Sequence, residues 1–288
     1  METVKKEVTS PIFLVGTQRS GTTLLTRILS AHKDVFIQNE LPLQTIFTEN
    51  ASREEIVENI DKHFQIRYNE HIDSFLENSK KIAWGLKDPQ LTEHLDALEQ
   101  FIPDSKFIII VRDGRGVVNS YIENKWGLGT NAFTGALRWK EEVDLQVKFA
   151  EKHPKSCLIV RFEDLVKDQR SQLIKICDHL KINFDESMLD YHKEKMKYVP
   201  NKQNINTDKA PDAELASKWK KKLTEKQIDI INTYAGDTLT KFHYIEQKSH
   251  HDLGALRIFF YKFHQLFLGE AQIQYQLARI RFKNRFRR

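Results

Sequence analysis

The chain contains 288 residues, of which 40% are hydrophobic and 30% are charged, and its formal net charge is +5 at pH 7. A chain of this length can bury a full hydrophobic core, and the length allows one large domain or two small ones. We interpret the chain as one domain with a tail. The two cysteines, Cys157 and Cys177, occur without a CxxC motif or a histidine cluster at metal spacing. Composition therefore argues against a disulfide framework and against a structural zinc site.

The sequence shows no signal peptide and no membrane-spanning segment. The first residues lack an apolar stretch followed by a small-residue cleavage site, and the longest purely apolar run is Phe107–Val111. We therefore expect a reducing, cytoplasmic location, with the tail as the segment suited to peripheral attachment at a membrane.

Short β-branched or aromatic runs alternate with segments of helical apolar spacing. The predicted strands are Ile12–Val15, Ile82–Leu86, Phe107–Val111 and Cys157–Val160. After Phe162 the pattern predicts helices near 169–181, 185–195 and 224–235, with a long polar surface loop over 199–213. This alternation is typical of βαβ units, so we expect an α/β fold with a central, mostly parallel sheet flanked by helices.

A glycine-rich segment, residues 16–23 (GTQRSGTT), directly follows the first predicted strand and opens a helix. In that context backbone N–H groups and the helix dipole bind anions. Gly16 and Gly21 have the spacing of the nucleotide loop GxxxxGK[ST], but Thr22 stands where that loop needs lysine. Arg19 can supply the missing charge to phosphate or sulfate oxygens. We predict a P-loop-like three-layer fold whose anion site comprises Thr17, Gln18, Arg19, Ser20, Gly21, Thr22 and Thr23.

A second segment, residues 106–120 (KFIIIVRDGRGVVNS), places Arg112 at the end of a predicted strand and Ser120 two turns into the next helix. An arginine and a hydroxyl so placed could converge on one phosphate. This segment and residues 11–35 (PIFLVGTQRSGTTLLTRILSAHKDV) together resemble the motifs of PAPS-dependent sulfotransferases. Within that family they most resemble the branch that contains the protein-tyrosine sulfotransferases.

The resemblance implies a cofactor, 3′-phosphoadenosine 5′-phosphosulfate (PAPS), whose product is 3′-phosphoadenosine 5′-phosphate (PAP), and it implies no metal. Arg112 and Ser120 would hold the 3′-phosphate. Lys209 matches a further cofactor contact in a Lys-to-Ser-Lys-Trp pattern that ends at Trp219. The family branch often has Tyr at Phe162 and Arg at Asn124, so contacts at those two positions are expected to differ.

The resemblance also implies catalytic residues. Glu40 falls at the position of the catalytic base, and Lys87, in WGLKDP, matches a lysine that assists the leaving group together with Arg19. Asp88 is expected to orient Lys87 or to cap the following helix. His32 is a rival base, since many cytosolic sulfotransferases use histidine, but its position at a helix end favours capping.

The implied function is transfer of a sulfuryl group from PAPS to a hydroxyl of an unidentified acceptor, which is a peptide tyrosine, a carbohydrate, a lipid or a small molecule. We take the reaction as an in-line displacement. Two alternatives stay open: a P-loop kinase or NTPase, which Thr22 in place of the loop lysine disfavours, and a catalytically inactive nucleotide-binding scaffold.

The sequence divides into a predicted sulfotransferase domain, residues 1–248, and a basic amphipathic helical tail, residues 249–288. The tail carries eight Lys or Arg residues against Asp252 and Glu270. It has no nucleic-acid recognition motif, and its phenylalanines among the cations favour docking to a membrane surface or to a protein partner.

Overall fold

Five parallel strands form a central sheet in the computed structural model, which describes residues 11–102, 104–193 and 213–285. The strand order is β2-β3-β1-β4-β5, and every described strand pair is parallel. The strands are β1 (Ile12–Val15), β2 (Val35–Asn39), β3 (Ala83–Lys87), β4 (Lys106–Val111) and β5 (Cys157–Arg161). The predicted α/β fold with a mostly parallel sheet is thereby confirmed.

The central strands are almost continuous apolar runs because neighbouring elements cover both faces of the sheet. All four residues of β1 are buried, as are Phe107–Val111 of β4. The ring of Phe13 stacks on that of Phe107, with centroids 5.3 Å apart, and meets Trp84 of β3 edge-on at 6.4 Å. The core of the sheet is therefore centred on β1, and the segment that follows β1 starts from a fixed point.

Helices make up most of the remaining structure. The α-helices are α1 (Thr22–Ser30), α2 (Leu43–Ile46), α3 (Arg53–Tyr68), α4 (Ile72–Ser79), α5 (Leu95–Phe101), α6 (Gly114–Asn124), α7 (Ala132–Lys152), α8 (Phe162–Lys167), α9 (Gln169–Leu180), α10 (Ala213–Ser217), α11 (Glu225–Tyr234), α12 (Gly236–Lys241) and α13 (Gly254–Arg285). Short 3-10 helices span Pro89–His94, Glu186–Met188, Tyr191–Lys193 and Lys218–Lys221. No helix in these described ranges is both long enough and apolar enough to cross a membrane.

All four predicted strands are confirmed to within a residue or two, and so are the helices predicted near 169–181 and 224–235. The helix predicted over 185–195 is wrong in its described part, which forms two 3-10 turns. The reason is local: Met188 ends the first turn and Tyr191 begins the second, and each short turn places its apolar side chain in the core. β2 was not predicted, and the loop predicted over 199–213 lies outside the described residues except for its last residue.

The described chain divides into two compact units. The first contains the residues up to Val111 and those from Leu145 to Lys193, including the whole sheet. The second contains Arg112–Asp144 and the residues from Ala213 onward, including α6 and α13. The sequence-based division into 1–248 and 249–288 stays a prediction.

Candidate active site

The glycine-rich loop joins β1 to α1 and depends on two glycines. A Cβ atom on Gly16 would lie 2.6 Å from the backbone oxygen of Ile110 in β4. Gly21 has a φ of +105°, and a Cβ there would lie 2.4 Å from Cδ2 of Phe162. Both positions therefore require glycine, for close backbone approach at Gly16 and for a positive φ at Gly21. Phe162, one of the two predicted departures from the family, thus packs against the loop.

The loop contains two buried hydroxyl groups whose hydrogen-bonding capacity is not satisfied by the described residues. Thr17 is 1% exposed and Ser20 is fully buried, and neither side-chain oxygen has a partner within the described part of the chain. The first N–H groups of any helix lack intrahelical acceptors. In α1 the N-cap residue is Gly21, which has no side chain that could accept from them. Buried polar groups are rarely left unsatisfied, and a bound oxyanion would satisfy all of these donors.

The other predicted loop residues lie in the same segment. Arg19 is half-buried and adopts the left-handed conformation, with a φ of +74°. Gln18 lies beside it in the turn, while Thr22 and Thr23 form the first turn of α1. The structure thus brings Thr17–Thr23 together around one helix N-terminus, and the residues fit a phosphate or phosphosulfate group.

Glu40 and Lys87 form an ion pair at the carboxyl ends of β2 and β3. Lys87 Nζ donates to Glu40 Oε1 at 2.7 Å. The pair is asymmetric, since the lysine side chain is 4% exposed and the glutamate side chain is 62% exposed. The lysine charge is therefore fixed beneath the surface, while the carboxylate faces solvent where a substrate can reach it.

The sheet register relates this pair to the loop. Lys87 lies opposite Leu14, which in turn lies opposite Ile108. Because side chains alternate along a strand, Lys87 shares a face of the sheet with Ile108 and Ile110. The Ile110 side chain also lies against the loop, since its Cγ2 lies 2.8 Å from a Cβ on Gly16 and its Cδ1 lies 3.4 Å from a Cβ on Gly21. The lysine and the phosphate loop therefore lie on one face, next to each other across the β1–β3 pairing.

Arg67 is a site residue that the sequence did not reveal. Glu40 has a φ of +25°, which is unusual for a residue with a side chain. Its N–H donates to Lys87 O at 2.8 Å, which extends the strand pairing by one step. The Arg67 guanidinium, from α3, donates to the carbonyl oxygens of Asn39 and, at 3.2 Å, of Glu40. Arg67 thus anchors the backbone that aims Glu40, although an exposed helix arginine carries no sequence signal for this role.

Asp88 follows the pair and caps the next 3-10 turn, because its Oδ1 accepts from the N–H of Gln90 at 2.9 Å. The predicted capping role is therefore confirmed. Burial raises the pKa of Asp88 to about 6, and the Glu40 carboxylate adds to the rise while Lys87 opposes it. The Asp88 carboxyl beside the ion pair therefore holds its proton more readily than an ordinary aspartate does.

His32 is held as a structural residue. It is 1% exposed, its Nδ1 accepts from the N–H of Asp34 at 3.0 Å, and its Nε2 lies 2.8 Å from the carbonyl oxygen of Asn183. Both ring nitrogens are engaged by backbone groups after the end of α1. The ring thus bonds to groups outside α1, while Ala31 is the C-cap of that helix, so the predicted helix-capping role is wrong. Both ring nitrogens are nevertheless occupied, which leaves Glu40 as the candidate base.

The second unit holds Arg112 and Ser120. Arg112 precedes α6, and its backbone oxygen accepts from Trp139 Nε1 at 3.1 Å. Ser120 lies on α6, where Asn124, the other departure from the family, donates to Ser120 Oγ at 3.3 Å. Asp113 caps α6 through the N–H of Arg115 at 2.9 Å. The predicted Lys209 lies outside the described residues.

The glycine-rich loop and the ion pair of Glu40 and Lys87 are the two features that make up the candidate site. A model of the Sulfotransferase family matches residues 11–186. Since this stretch is more than half of the sequence, the chain belongs to the sulfotransferase family. The resemblance drawn from the two motifs is confirmed.

Protein-tyrosine sulfotransferase A of Caenorhabditis elegans is 28% identical over 202 residues. The match covers 64% of this chain and 53% of that protein, so the chain spans about half the length of this relative.

Two solved structures share the fold. The sulfotransferase domain from the curacin biosynthetic pathway has a TM-score of 0.63 and 20% identity, over 83% of this chain and 99% of that domain. Mouse sulfotransferase SULT7A1, solved in complex with PAP, has a TM-score of 0.52 and 15% identity, over 82% of this chain and 88% of the mouse protein.

Proposed function

We propose that the chain transfers a sulfuryl group from PAPS to a hydroxyl group of an acceptor, with Glu40 as the base. Family membership supports sulfuryl transfer as the reaction class. The observation that carries the proposal is the 2.7 Å pair of Glu40 and Lys87 on the sheet face that also carries the phosphate loop.

PAPS, when bound, supplies the sulfuryl group and a phosphate leaving group. Its phosphosulfate would be held by Arg19, by the hydroxyls of Thr17 and Ser20 and by the N-terminal N–H groups of α1. Arg112 and Ser120 are proposed for the 3′-phosphate, and Lys209 for a further contact. The unsatisfied loop hydroxyls support this assignment, as does the PAP complex of the mouse neighbour.

Glu40 is proposed to accept the proton of the acceptor hydroxyl at its Oε atoms as the oxygen bonds to sulfur. General-base catalysis of this kind contributes about 10²–10⁴ in rate. Lys87 Nζ and Arg19 stabilise the negative charge that develops on the departing phosphate, and a fixed, buried cation needs no reorganisation to do so. Exposure of the Glu40 carboxylate supports access from solvent.

The acceptor is proposed as a hydroxyl-bearing molecule. The name of the Caenorhabditis elegans relative makes a peptide tyrosine the first acceptor to test, with a carbohydrate, a lipid and a small phenol after it. No metal enters the proposed reaction, because Lys87 and Arg19 supply the positive charge.

The first test is thermal unfolding with PAP and, separately, with ATP and Mg²⁺. A ligand at 100 times its dissociation constant adds about 2.7 kcal/mol to the free energy of unfolding, which shifts the midpoint by a few degrees. We expect a shift with PAP that Arg19→Ala and Arg112→Ala reduce and that Arg53→Ala, an exposed control, leaves unchanged. A shift with ATP and Mg²⁺ alone would indicate a kinase or NTPase.

Labelled PAPS with a tyrosine peptide then tests transfer itself. We expect Glu40→Gln to bind PAP normally and to lose transfer by about 10²–10⁴. Full transfer by this variant would remove Glu40 as the base. PAP binding without transfer to any of the four acceptor classes would favour the inactive scaffold.

A further inference from the structure

Helix α13 contacts the rest of its unit through a face that carries three glutamines, Gln265, Gln272 and Gln276. Gln265 accepts from the N–H of Thr130 at 2.8 Å and donates to the oxygen of Gly127 at 2.6 Å. Gln272 accepts from the N–H of Gly127 at 3.0 Å. The half-buried or buried residues between Ile258 and the end of the helix recur on this one side: Ile258, Tyr261, Gln265, Gly269, Gln272 and Gln276.

The opposite face of α13 is apolar and exposed. We call it the aromatic face, and its members are Leu256, Phe259, Phe260, Phe263, Leu266 and Phe267. Their exposed fractions run from 48% for Phe263 to 70% for Leu256. Their spacing of three and four residues places them along one stripe of the helix. A surface helix of a globular protein normally turns its apolar stripe toward the core, whereas this stripe faces solvent. An exposed apolar patch of this kind indicates a surface that binds a partner or a membrane.

The charges around the aromatic face indicate what kind of surface it binds. At about 100° per residue, Arg257 and Lys262 fall on opposite edges of the stripe. The sequence has no acidic residue between 254 and 269, and it has six Lys or Arg and only Glu270 between 254 and 285. Long cationic side chains that flank an apolar stripe can extend to anionic headgroups while the stripe enters the acyl boundary.

We propose that the aromatic face of α13 docks the protein onto an anionic lipid surface, with the helix lying in the plane of the interface. Its docked glutamines hold the helix against its unit while phenylalanines insert to a depth of about 5–10 Å. Each nearby cation strengthens attraction to acidic lipids, so binding weakens as salt rises.

A second copy of the chain fits this face less well. Whether the two helices paired parallel or antiparallel along this stripe, Arg257 and Lys262 would meet no acidic residue, because residues 254–269 contain none. The stripe also ends early, because Glu270, Gln274 and Arg281 occupy its continuation. The apolar seam is thus about 18 Å long at 1.5 Å per residue, which is short for a paired helix.

The test is cosedimentation of the full chain with vesicles. We expect binding to phosphatidylcholine vesicles that contain phosphatidylserine, and much weaker binding to phosphatidylcholine alone. The double variant Phe259→Ser/Phe263→Ser should lower the partition coefficient by at least about tenfold. Val57→Ser/Ile174→Ser, which removes exposed apolar groups from α3 and α9, is the matched control and should bind as the parent does.

A charge variant, Arg257→Glu/Lys262→Glu, should reduce binding to acidic vesicles and abolish most of its salt dependence. Circular dichroism of each variant confirms that the helix content is kept. Failure of the parent chain to sediment with acidic vesicles would overturn the proposal, as would equal binding by the phenylalanine variant. A dimer in sedimentation velocity that this variant dissolves, without vesicle binding by the parent, would assign the face to a second copy.

Discussion

The ring of Phe162 fills the space in which residue 21 would carry a side chain, since its Cδ2 lies 2.4 Å from the position of a Cβ on Gly21. Phe162 is the first residue of α8, directly after β5, and Gly21 caps α1, directly after the loop. A ring at position 162 thus closes the loop from the β5 side. The hydroxyl of a tyrosine is not needed for that packing.

Replacement of Gly21 by alanine should destabilise the fold by about 2–4 kcal/mol, because the positive φ and the overpacking against Phe162 both add cost. Urea unfolding measures the change. Gly254→Ala is the matched control, since Gly254 also has a positive φ, +68°, but has nothing within 4 Å of a Cβ. It should cost about 1 kcal/mol. Equal losses in the two variants would show that contact with Phe162 is unimportant.

The asymmetric burial of the Glu40 and Lys87 pair predicts unequal effects of removing either partner. Glu40→Ala leaves a buried ammonium without its carboxylate and should cost about 1–2 kcal/mol. Lys87→Met leaves an exposed carboxylate that water can solvate, so its cost should stay within about 1 kcal/mol. Chemical unfolding of both variants at neutral pH decides this. A larger loss for Lys87→Met would mean that packing of the lysine stem outweighs charge burial.

Arg67 should act on turnover through the backbone of Glu40. Arg67→Ala is expected to lower kcat by about tenfold while KM changes little, because a base that is misplaced by a fraction of an ångström loses efficiency without losing substrate binding. Arg67→Lys, which restores a single donor, should recover part of kcat. Lys62→Ala on the same helix is the control. A change in KM alone would point to a substrate contact instead.

Asp88 makes stability depend on pH. Its folded pKa of about 6 lies above the ordinary aspartate value of 3.8, so the protonated form is favoured by folding. The free energy of unfolding should therefore fall as pH rises between these two values, by up to about 3 kcal/mol. Asp88→Asn, which keeps a capping oxygen and carries no charge, should be more stable than the parent at pH 7.5 and should lose this slope. Parallel pH profiles for the two proteins would contradict the assignment.

The strands that could be predicted are those whose burial on both faces leaves an unbroken apolar run. β2 was not predicted because its sequence, VFIQN, ends in two amide side chains, although Gln38 is fully buried in the sheet. Alternating or continuous hydrophobicity cannot mark such a strand. The 185–195 segment failed for a different reason, because three-residue turns bury the same residues that a helix would.

The loop residues of the site could be predicted because they are contiguous and have a known spacing. The contact between Glu40 and Lys87 could not be predicted from geometry, since the two residues are 47 positions apart and meet only through the register of β2 with β3. The role of Arg67 could not be predicted from the sequence for the same reason. Its role depends on a carbonyl direction set by a single positive φ.

The strand order determines when the sheet can form during synthesis on the ribosome. β1 is synthesised first among the described strands, yet its partners are Gly85–Lys87 on one side and Lys106–Ile109 on the other. β1 therefore cannot pair on both sides until β4 has been synthesised. Until then the fully apolar β1 segment lacks at least one of its partner strands. The phosphate loop takes shape only when Ile110 is in place beneath Gly16. Competence to bind an oxyanion thus marks the completion of the sheet, and a nascent chain that ends before β4 should bind none.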